Sequence, residues 1–293
     1  MSLKRRSFIK ITGALASGFA LHSLSSCNFN TLDSGTGDIS KNFGLQLYTL
    51  RDVIGSDTRN VLEQVASYGY KQIESYEGPQ GMFWGMTPKG FKDFMDGLGM
   101  KLVASHADIF KDFDRKVDDA ASIGMDYLIC PWISPQKTID DYKKIAGQFN
   151  KAGQTCKNAG LRFAYHNHAY TFTPLEGQLP QEVLMNNTDA DLVDYEMDIY
   201  WVVTAGKDPV AEMKKHDNRY RLVHVKDRKK NVPLTNTDAS CILGEGSIDY
   251  PSVLKGANRY GTKFYIVEQE KYENSSPMAS ARANAAYMKS LAV

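Results

Sequence analysis

The segment FAYHNHAY, residues 163–170, carries two histidines and an asparagine at the end of an otherwise apolar, strand-like run. Alternation along a strand puts His166 and His168 on one face and Asn167 on the other. A buried structural histidine usually stands alone, with one partner for each ring nitrogen. Two imidazoles on one face therefore indicate a polar pocket or a metal site.

Other side chains capable of acid–base or metal chemistry also fall at the ends of apolar runs. Taken singly, each has a structural explanation, such as a loop cap, a satisfied core histidine or a pair with a lysine. Together, imidazoles and carboxylates suit one divalent ion: Mn, Co, Zn, Fe or Mg. The residues at strand ends are His106, His166, His168, His224, Glu74, Asp198, Glu268 and Glu270; the expected metal ligands among them are His166, Asp198, His224 and Glu268.

These residues belong to a repeating unit in which a short β-prone run precedes a polar loop and an amphipathic helical stretch. Eight units in one chain predict a single (β/α)8 barrel, with its chemistry at the C-terminal ends of the strands. A doubly wound open sheet is the alternative, but the Gly-rich turn that it needs after the first strand is missing. The predicted strands are 43–50, 70–76, 101–107, 127–132, 162–168, 193–200, 221–227 and 263–270; the predicted helices are 57–68, 88–98, 112–123, 138–159, 179–187, 208–217, 249–260 and 277–291.

Composition and charge exclude several classes of function. The 293 residues have a formal net charge of +1, and the first 27 contain four basic residues and no acidic one, so the remainder has a net charge of −3. A nucleic-acid or membrane-surface binder would need a clustered basic field. Cys130, Cys156 and Cys241 show no CxxC spacing, which argues against a disulfide framework or a zinc knuckle.

The N-terminus has the features of a targeting segment. KRRSFIK, residues 4–10, precedes a short apolar run and then LSSC, residues 24–27, the order typical of a signal peptide. The arginine pair resembles a twin-arginine signal, and LSSC resembles a lipobox in which Cys27 is lipidated; an ordinary cysteine is the alternative. We therefore predict a signal peptide over 1–27, a flexible linker over 28–42 and a barrel over 43–293. The expected product is a periplasmic or cell-envelope lipoprotein that touches the membrane only through its lipid anchor.

Several ordered motifs resemble the sugar phosphate isomerase/epimerase family, the xylose isomerase-like TIM barrel group. They are HNH at 166–168, MDIYWVVTAGKDP at 197–209, VHVKD at 223–227, LGEGSIDYPSVL at 243–254 and VEQE at 267–270. The group also includes inosose dehydratases, ketose 3-epimerases and family 2 AP endonucleases. The resemblance implies a metal held by Glu, Asp, His and Glu from four strands. Asp198, His224 and Glu268 match the last three of these ligands.

The first ligand departs from the family pattern, because His166 stands where the epimerases carry a glutamate within a Glu-Asn-His motif. In those epimerases the glutamate is also one of two catalytic bases, and a metal-bound imidazole does not readily accept a proton. Inosose dehydratase-like members carry a similar His-rich motif. The resemblance therefore leaves isomerisation, epimerisation and dehydration all open.

The expected function is a divalent-metal-dependent isomerase or epimerase that removes a proton next to a carbonyl of an unphosphorylated sugar, keto-sugar or cyclitol. Glu268 is the expected base, with His168 or His106 handling a second proton. The alternatives are an inosose dehydratase-like enzyme or keto-glycoside lyase, and a non-catalytic sugar-binding lipoprotein. No nucleic acid partner is expected, and an oligomer is compatible with the sequence. Expected substrate contacts are Tyr48, Glu74, His106, Trp132, Trp201 and Lys226.

Overall fold

A computed structural model describes residues 38–292. Eight parallel strands close into a barrel in the order β1–β2–β3–β4–β5–β6–β7–β10, with β10 returning to β1, and this confirms the predicted (β/α)8 fold over an open sheet. A separate antiparallel pair, β8 with β9, follows the seventh barrel strand. The strands are Gly44–Gln46 (β1), Gln72–Tyr76 (β2), Lys101–His106 (β3), Tyr127–Cys130 (β4), Arg162–His166 (β5), Val193–Asp198 (β6), Tyr220–Val225 (β7), Asp227–Arg228 (β8), Ser240–Cys241 (β9) and Phe264–Val267 (β10).

Helices follow the barrel strands and form the outer layer of the fold. Short 3-10 helices, Leu47–Leu50 and Ala169–Phe172, follow β1 and β5. The α-helices are Thr58–Tyr68 (α1), Pro88–Gly97 (α2), Phe113–Ser122 (α3), Ile139–Asn158 (α4), Pro180–Asn186 (α5), Ile199–Thr204 (α6), Pro209–Lys215 (α7), Tyr250–Arg259 (α8) and Pro277–Ser290 (α9).

Helix α4 shows how the sequence specifies these elements. The side chain of Thr138 accepts a hydrogen bond from the backbone N–H of Asp141 and so caps the first turn. Buried residues recur every three or four positions along the helix, which gives it one apolar face against the barrel. The helix ends before Gly160, whose φ of +82° is the left-handed conformation that glycine adopts without strain.

The structure departs from the predicted elements where side chains interrupt the strand ladder. The first strand ends at Gln46 because its side chain accepts a hydrogen bond from the N–H of Tyr48 and begins a 3-10 helix. The sixth strand ends at Asp198 because its carboxylate caps α6 through the N–H of Trp201. Neither α6 nor the β8–β9 hairpin was predicted, since short elements like these depend on contacts distant in sequence.

Alternation along the strands divides the barrel interior into an apolar part and a polar end. The interior residues at the N-terminal half form a small apolar cluster that includes Ala104, Ala164, Leu222 and Ile266. Positions two residues further along the same strands carry imidazoles and carboxylates. The chemistry predicted for the strand ends is therefore collected at one end of the barrel, above an apolar plug.

The remaining sequence expectations concern the cysteines and the termini. Cys130, Cys156 and Cys241 are free thiols, and the first two are buried. Ile39 already packs into the core. Within residues 38–292, no helix is both long and apolar enough to cross a membrane. The predicted signal peptide and the predicted lipidation site, Cys27, lie outside the described residues.

Candidate active site and metal centre

Strand register brings pairs of functional residues side by side at the polar end of the barrel. His166 on β5 is the register partner of Glu196 on β6. Asp198, two residues further along β6, is the register partner of His224 on β7. Because Glu196 and Asp198 are separated by two positions, both carboxylates face the interior. The floor of the site is therefore built from two layers of side chains.

The deeper layer, here called the inner cluster, consists of His106, His166, Glu196 and His224, together with Glu74. Oε2 of Glu196 lies 2.9 Å from Nε2 of His106, 3.0 Å from Nδ1 of His166 and 3.2 Å from Nε2 of His224. Oε1 of Glu74 lies 2.8 Å from Nε2 of His224 and accepts a 2.6 Å hydrogen bond from Nε2 of Gln46. All of these side chains are buried.

The layer nearer the strand ends, here called the outer cluster, consists of Asp198, His224, Glu268 and Lys226. Nδ1 of His224 lies 3.2 Å from Oε2 of Glu268 and 3.9 Å from Oδ2 of Asp198. Nζ of Lys226 lies 2.7 Å from Oδ2 of Asp198, 2.9 Å from Oε2 of Glu268 and 2.6 Å from Oε1 of Glu270. His224 thus links the clusters, with one ring nitrogen facing each.

Burial and neighbouring charges shift the pKa values of these groups in opposite directions. Burial by itself lowers the pKa of His106, but the carboxylates of Glu74 and Glu196 outweigh it and raise that pKa to about 9. Burial, with the nearby charge of Lys226, lowers the pKa of His168 to about 3. Burial also raises the pKa of Asp198, although Lys226 opposes the shift.

Two buried polar residues hold the outer cluster in place. The Asn167 side chain accepts a 3.1 Å hydrogen bond from the N–H of Asp198 and donates a 3.4 Å bond to its carbonyl, which joins the ends of β5 and β6. The Asp227 carboxylate accepts hydrogen bonds from the N–H groups of Arg228, Gly244, Gly246 and Ile248. It therefore folds the loop after β7 directly beside Lys226.

A cavity of about 650 Å³ opens above this floor. The functional side chains that reach its wall are His106, His166, His168, Glu268 and Glu270. Aromatic side chains form much of the rest, including Tyr48, Tyr76, Phe110 and Trp132. The cavity therefore combines an acid–base floor with an aromatic wall, the arrangement typical of a small-molecule site.

The predicted site residues lie together at the polar end of the barrel, but only some of them line the cavity. Of the predicted substrate contacts, Tyr48, His106 and Trp132 line the cavity. The other three lie around its floor. Glu74 contacts the imidazoles of His106 and His224, Lys226 is enclosed by carboxylates, and the Trp201 ring lies 5.4 Å from the ring of His168. Their direct contact with substrate stays a prediction, as do the roles of Glu268 and His168.

Sequence reasoning missed Glu196 and Gln46, although a signal for both was present. In the predicted strands 193–200 and 43–50, each lies two positions before a residue that was predicted to act in the site, and therefore on the same predicted face: Glu196 before Asp198, and Gln46 before Tyr48. The prediction considered only residues at the strand ends and therefore omitted residues of the deeper layer. Strict alternation would have indicated both residues.

The donor atoms present fit a divalent ion. Two ligands of a tetrahedral ion, each about 2.1 Å from the metal, lie about 3.4 Å apart. Asp198, His224 and Glu268 form one compact set, in which Nδ1 of His224 lies 3.2 Å from Oε2 of Glu268 and 3.9 Å from Oδ2 of Asp198. Nε2 of His166 lies beside this set, 3.8 Å from Oδ2 of Asp198. In addition, Oε2 of Glu74 and Oε1 of Glu196 are buried without a hydrogen-bond partner among the described residues.

The sequence profile of the xylose isomerase-like TIM barrel family matches residues 62–291. The chain belongs to this family. The match confirms the resemblance drawn from the motifs and includes all the residues of both clusters. The crystal structure of a sugar phosphate isomerase/epimerase from Parabacteroides distasonis ATCC 8503 is similar, with a TM-score of 0.74 and 28% identity over 89% of this chain and 98% of that one.

Two further relatives extend the comparison. An inosose dehydratase from Clostridium perfringens (strain 13 / Type A) is 30% identical over 145 residues, which are 45% of this chain and 48% of that protein. The matched segment thus spans about half the length of this curated relative. The zinc-bound IOLI protein shares the fold, with a TM-score of 0.70 and 14% identity over 85% of this chain and 98% of that one. Together, the relatives support an enzyme of the isomerase/epimerase or dehydratase type.

Proposed function

We propose that this chain is a divalent-metal-dependent enzyme that removes a proton next to a carbonyl of an unphosphorylated sugar, keto-sugar or cyclitol and expels the hydroxyl from the following carbon. The main support for the proposal is that a cavity with aromatic walls opens directly above a buried cluster of imidazoles and carboxylates. A pure sugar-binding module needs the aromatic wall but not the buried Asp198–His224–Glu268 set.

We assign the metal ion to His166, Asp198, His224 and Glu268. When bound there, a divalent ion supplies a positive charge that polarises a carbonyl and stabilises the negative charge left by proton loss. The inner cluster supports this set from below, because Glu196 and Glu74 hold the rings of His166 and His224 in fixed orientations.

The chain's own residues divide the proton transfers between them. Glu268 lines the cavity, and its Oε2 is held by His224 and Lys226, which orients the carboxylate. We assign it the removal of the proton next to the carbonyl. His168 also lines the cavity, and its Nδ1 has no hydrogen-bond partner among the described residues. Because its lowered pKa keeps the ring neutral, we assign His168 a hydrogen bond that orients the departing hydroxyl. The proton that leaves with this hydroxyl as water is assigned to His106, which lines the cavity and whose raised pKa keeps it protonated.

His166 favours dehydration over epimerisation. Epimerisation requires a base on each face of the reacting carbon, and His166 replaces the carboxylate that serves as one of them in the epimerases. Elimination requires one base and one group that assists the leaving hydroxyl. The similarity to inosose dehydratases supports the same choice. Isomerisation or epimerisation is the second candidate, supported by the similarity to the Parabacteroides protein over most of both chains.

The charge of the cavity supports an unphosphorylated substrate. Among the described residues that line it there is no lysine or arginine, whereas Glu77, Asp108, Glu268 and Glu270 are all present. A phosphate dianion would meet these four carboxylates, and the nearby ammonium groups of Lys116 and Lys226 are already paired with Glu77, Glu268 and Glu270. A neutral polyol has no such penalty.

Proton NMR in D2O tests the proposal on the metal-loaded protein. The substrates are inososes, keto-hexoses and the corresponding phosphate esters. We expect loss of water from the unphosphorylated ketone, seen as an enone or diketone product, with at least a tenfold lower kcat/KM for the ester. Deuterium exchange with inversion and no loss of water would favour epimerisation. Absence of exchange with every substrate would favour a binding protein.

We also propose that the protein is exported through the twin-arginine route and anchored through a lipid on Cys27. The support is the order of KRRSFIK, the apolar run and LSSC in residues 4–27. Export agrees with an unphosphorylated substrate, since sugar phosphates are mostly made and kept in the cytoplasm.

A further inference from the structure

Large exposed apolar side chains are concentrated around one opening of this protein. Among residues 38–292, four large hydrophobic side chains are exposed: Tyr48 (39%), Phe110 (57%), Trp132 (48%) and Leu234 (50%). The first three line the cavity, and Leu234 does not. Contiguous apolar side chains that are exposed to solvent are typical of ligand-binding sites. This concentration therefore marks the outer part of the cavity as a binding surface.

The aromatic wall is held rigidly. The indole N–H of Trp132 donates a 3.0 Å hydrogen bond to Oγ of Ser134, and its ring packs edge-on against His168 and Tyr170 at centroid distances of 4.6 Å and 5.0 Å. Tyr48 packs edge-on against Tyr76 at 5.3 Å. A rigid aromatic surface binds a planar group with little loss of side-chain entropy.

Two acidic side chains of the cavity, Glu77 and Asp108, hold part of the aromatic wall in place. Oε2 of Glu77 accepts hydrogen bonds from Nζ of Lys116 at 2.7 Å and from the N–H of Asp108 at 3.0 Å. Oδ1 of Asp108 accepts a 2.8 Å bond from the N–H of Phe110. These bonds hold the loop that directs Ile109 and Phe110 at the cavity. The exposed rings of Tyr48, Phe110 and Trp132 make the outer part of the cavity suitable for an apolar group.

The size of the cavity agrees with a ligand longer than one sugar ring. At about 650 Å³ it lies within the range of about 300–1,000 Å³ that encloses drug-sized ligands. A single six-carbon polyol on the floor would leave the aromatic half empty.

We propose that the outer part of the cavity is a subsite for an aromatic aglycone, so that the substrate is an aryl glycoside of a keto-sugar whose carbonyl lies on the acid–base floor. Glycosides of ordinary hexoses, which lack this carbonyl, would bind there as unreactive analogues. The subsite consists of Tyr48, Tyr76, Phe110, Trp132 and Ile133. This inference rests on the proposed function for the sugar-binding floor, but it concerns binding and is independent of which bond the enzyme breaks.

Calorimetric titration of the metal-loaded full chain with methyl and phenyl glycosides of the same sugar, taken across the common hexoses, tests the subsite. We expect at least one sugar for which the phenyl glycoside binds tenfold or more tightly than the methyl glycoside. Phe110→Ala and Trp132→Ala should each reduce that ratio at least threefold. Leu234→Ala, which removes a side chain of similar exposure outside the cavity, should leave the ratio unchanged.

The calorimetric titration tests binding, and the experiment in D2O tests catalysis. Equal affinity for the two glycosides, no binding of any glycoside, or a phenyl preference that survives both aromatic substitutions would each overturn the subsite. The solvent-deuterium experiment on free ketones decides the proposed function without reference to the aglycone. Because Trp132 also packs on His168, Trp132→Phe is the second variant, expected to keep most of the phenyl preference if the fold is intact.

Discussion

The ammonium group of Lys226 lies 2.7 Å from Oδ2 of Asp198, and both side chains are buried. The same nitrogen contacts Glu268 and Glu270, so that one lysine neutralises part of a cluster of three carboxylates. Two of these carboxylates belong to the proposed metal set. Lys226 and the divalent ion therefore compete for the same oxygens.

Lys226→Met should increase the affinity for a divalent ion and destabilise the metal-free protein. Breaking a buried ion pair costs about 3–5 kcal/mol, because the carboxylates lose their counter-charge. We expect metal affinity to rise at least tenfold, about 1.4 kcal/mol, measured by chelator competition, and the melting temperature without metal to fall. Lys229→Met is the control, since Lys229 pairs with Glu273 on the surface. Unchanged metal affinity in Lys226→Met would show that the lysine does not compete.

His224→Ala should remove most of the bound metal. The ring contributes to both clusters, so its loss opens the ligand shell and also leaves Glu74 and Glu196 without one of their partners. Elemental analysis should give about one ion per wild-type chain and much less in the variant. His216→Ala is the matched control, because His216 lies at the end of α7 beside Glu182 and Glu212, a separate candidate set. Loss of metal in that control alone would place the ion on the outer helices.

Glu268→Gln should abolish proton exchange while retaining part of the metal. The amide oxygen is a weak ligand, but it does not accept a proton at neutral pH. We expect turnover to fall at least a hundredfold, in line with the usual contribution of a positioned base. Glu270→Gln, which alters the neighbouring contact of Lys226, should have a much smaller effect. Equal losses in the two variants would argue against Glu268 as the base.

Gly246→Ala should destabilise the loop after β7. A Cβ at this position would lie 2.1 Å from Oδ1 of Asp227 and 2.4 Å from the carbonyl of Arg228, so the carboxylate would lose its backbone partners. The expected loss is about 1–3 kcal/mol of unfolding free energy, measured by thermal unfolding. In the exposed middle of α4, Gly147→Ala meets no atom within 4 Å and should stabilise the protein by about 0.5–1 kcal/mol.

Cys27→Ala should prevent lipid attachment. Cells fed a fatty-acid probe should label the wild-type chain and leave the variant unlabelled, with the variant released from the membrane fraction. Cys241→Ala provides a control, since this free thiol lies at the β8–β9 hairpin. Equal labelling of wild type and Cys27→Ala would contradict the lipoprotein prediction.

Local patterns in the sequence were sufficient to predict the elements that persist over many residues. Helix α4 follows from its Thr138 cap, its apolar periodicity and Gly160, all of which act within a few residues. Glycines follow five of the helices and have left-handed φ values from +68° to +102°: Gly69, Gly99, Gly124, Gly160 and Gly261. The end of β6 at Asp198 was not predicted, because the cap on α6 competes there with strand pairing.

The sequence by itself determined the barrel and the end of it that carries chemistry, because alternation and the parallel βαβ unit are local rules. Only the tertiary structure decided which groups meet. Barrel closure and strand register placed Glu196 between three imidazoles, turned the two nitrogens of His224 toward different carboxylates and enclosed Lys226. These contacts join residues up to 150 positions apart, such as Glu74 and His224, and depend on the stagger of neighbouring strands. No pattern within a single strand contains that information.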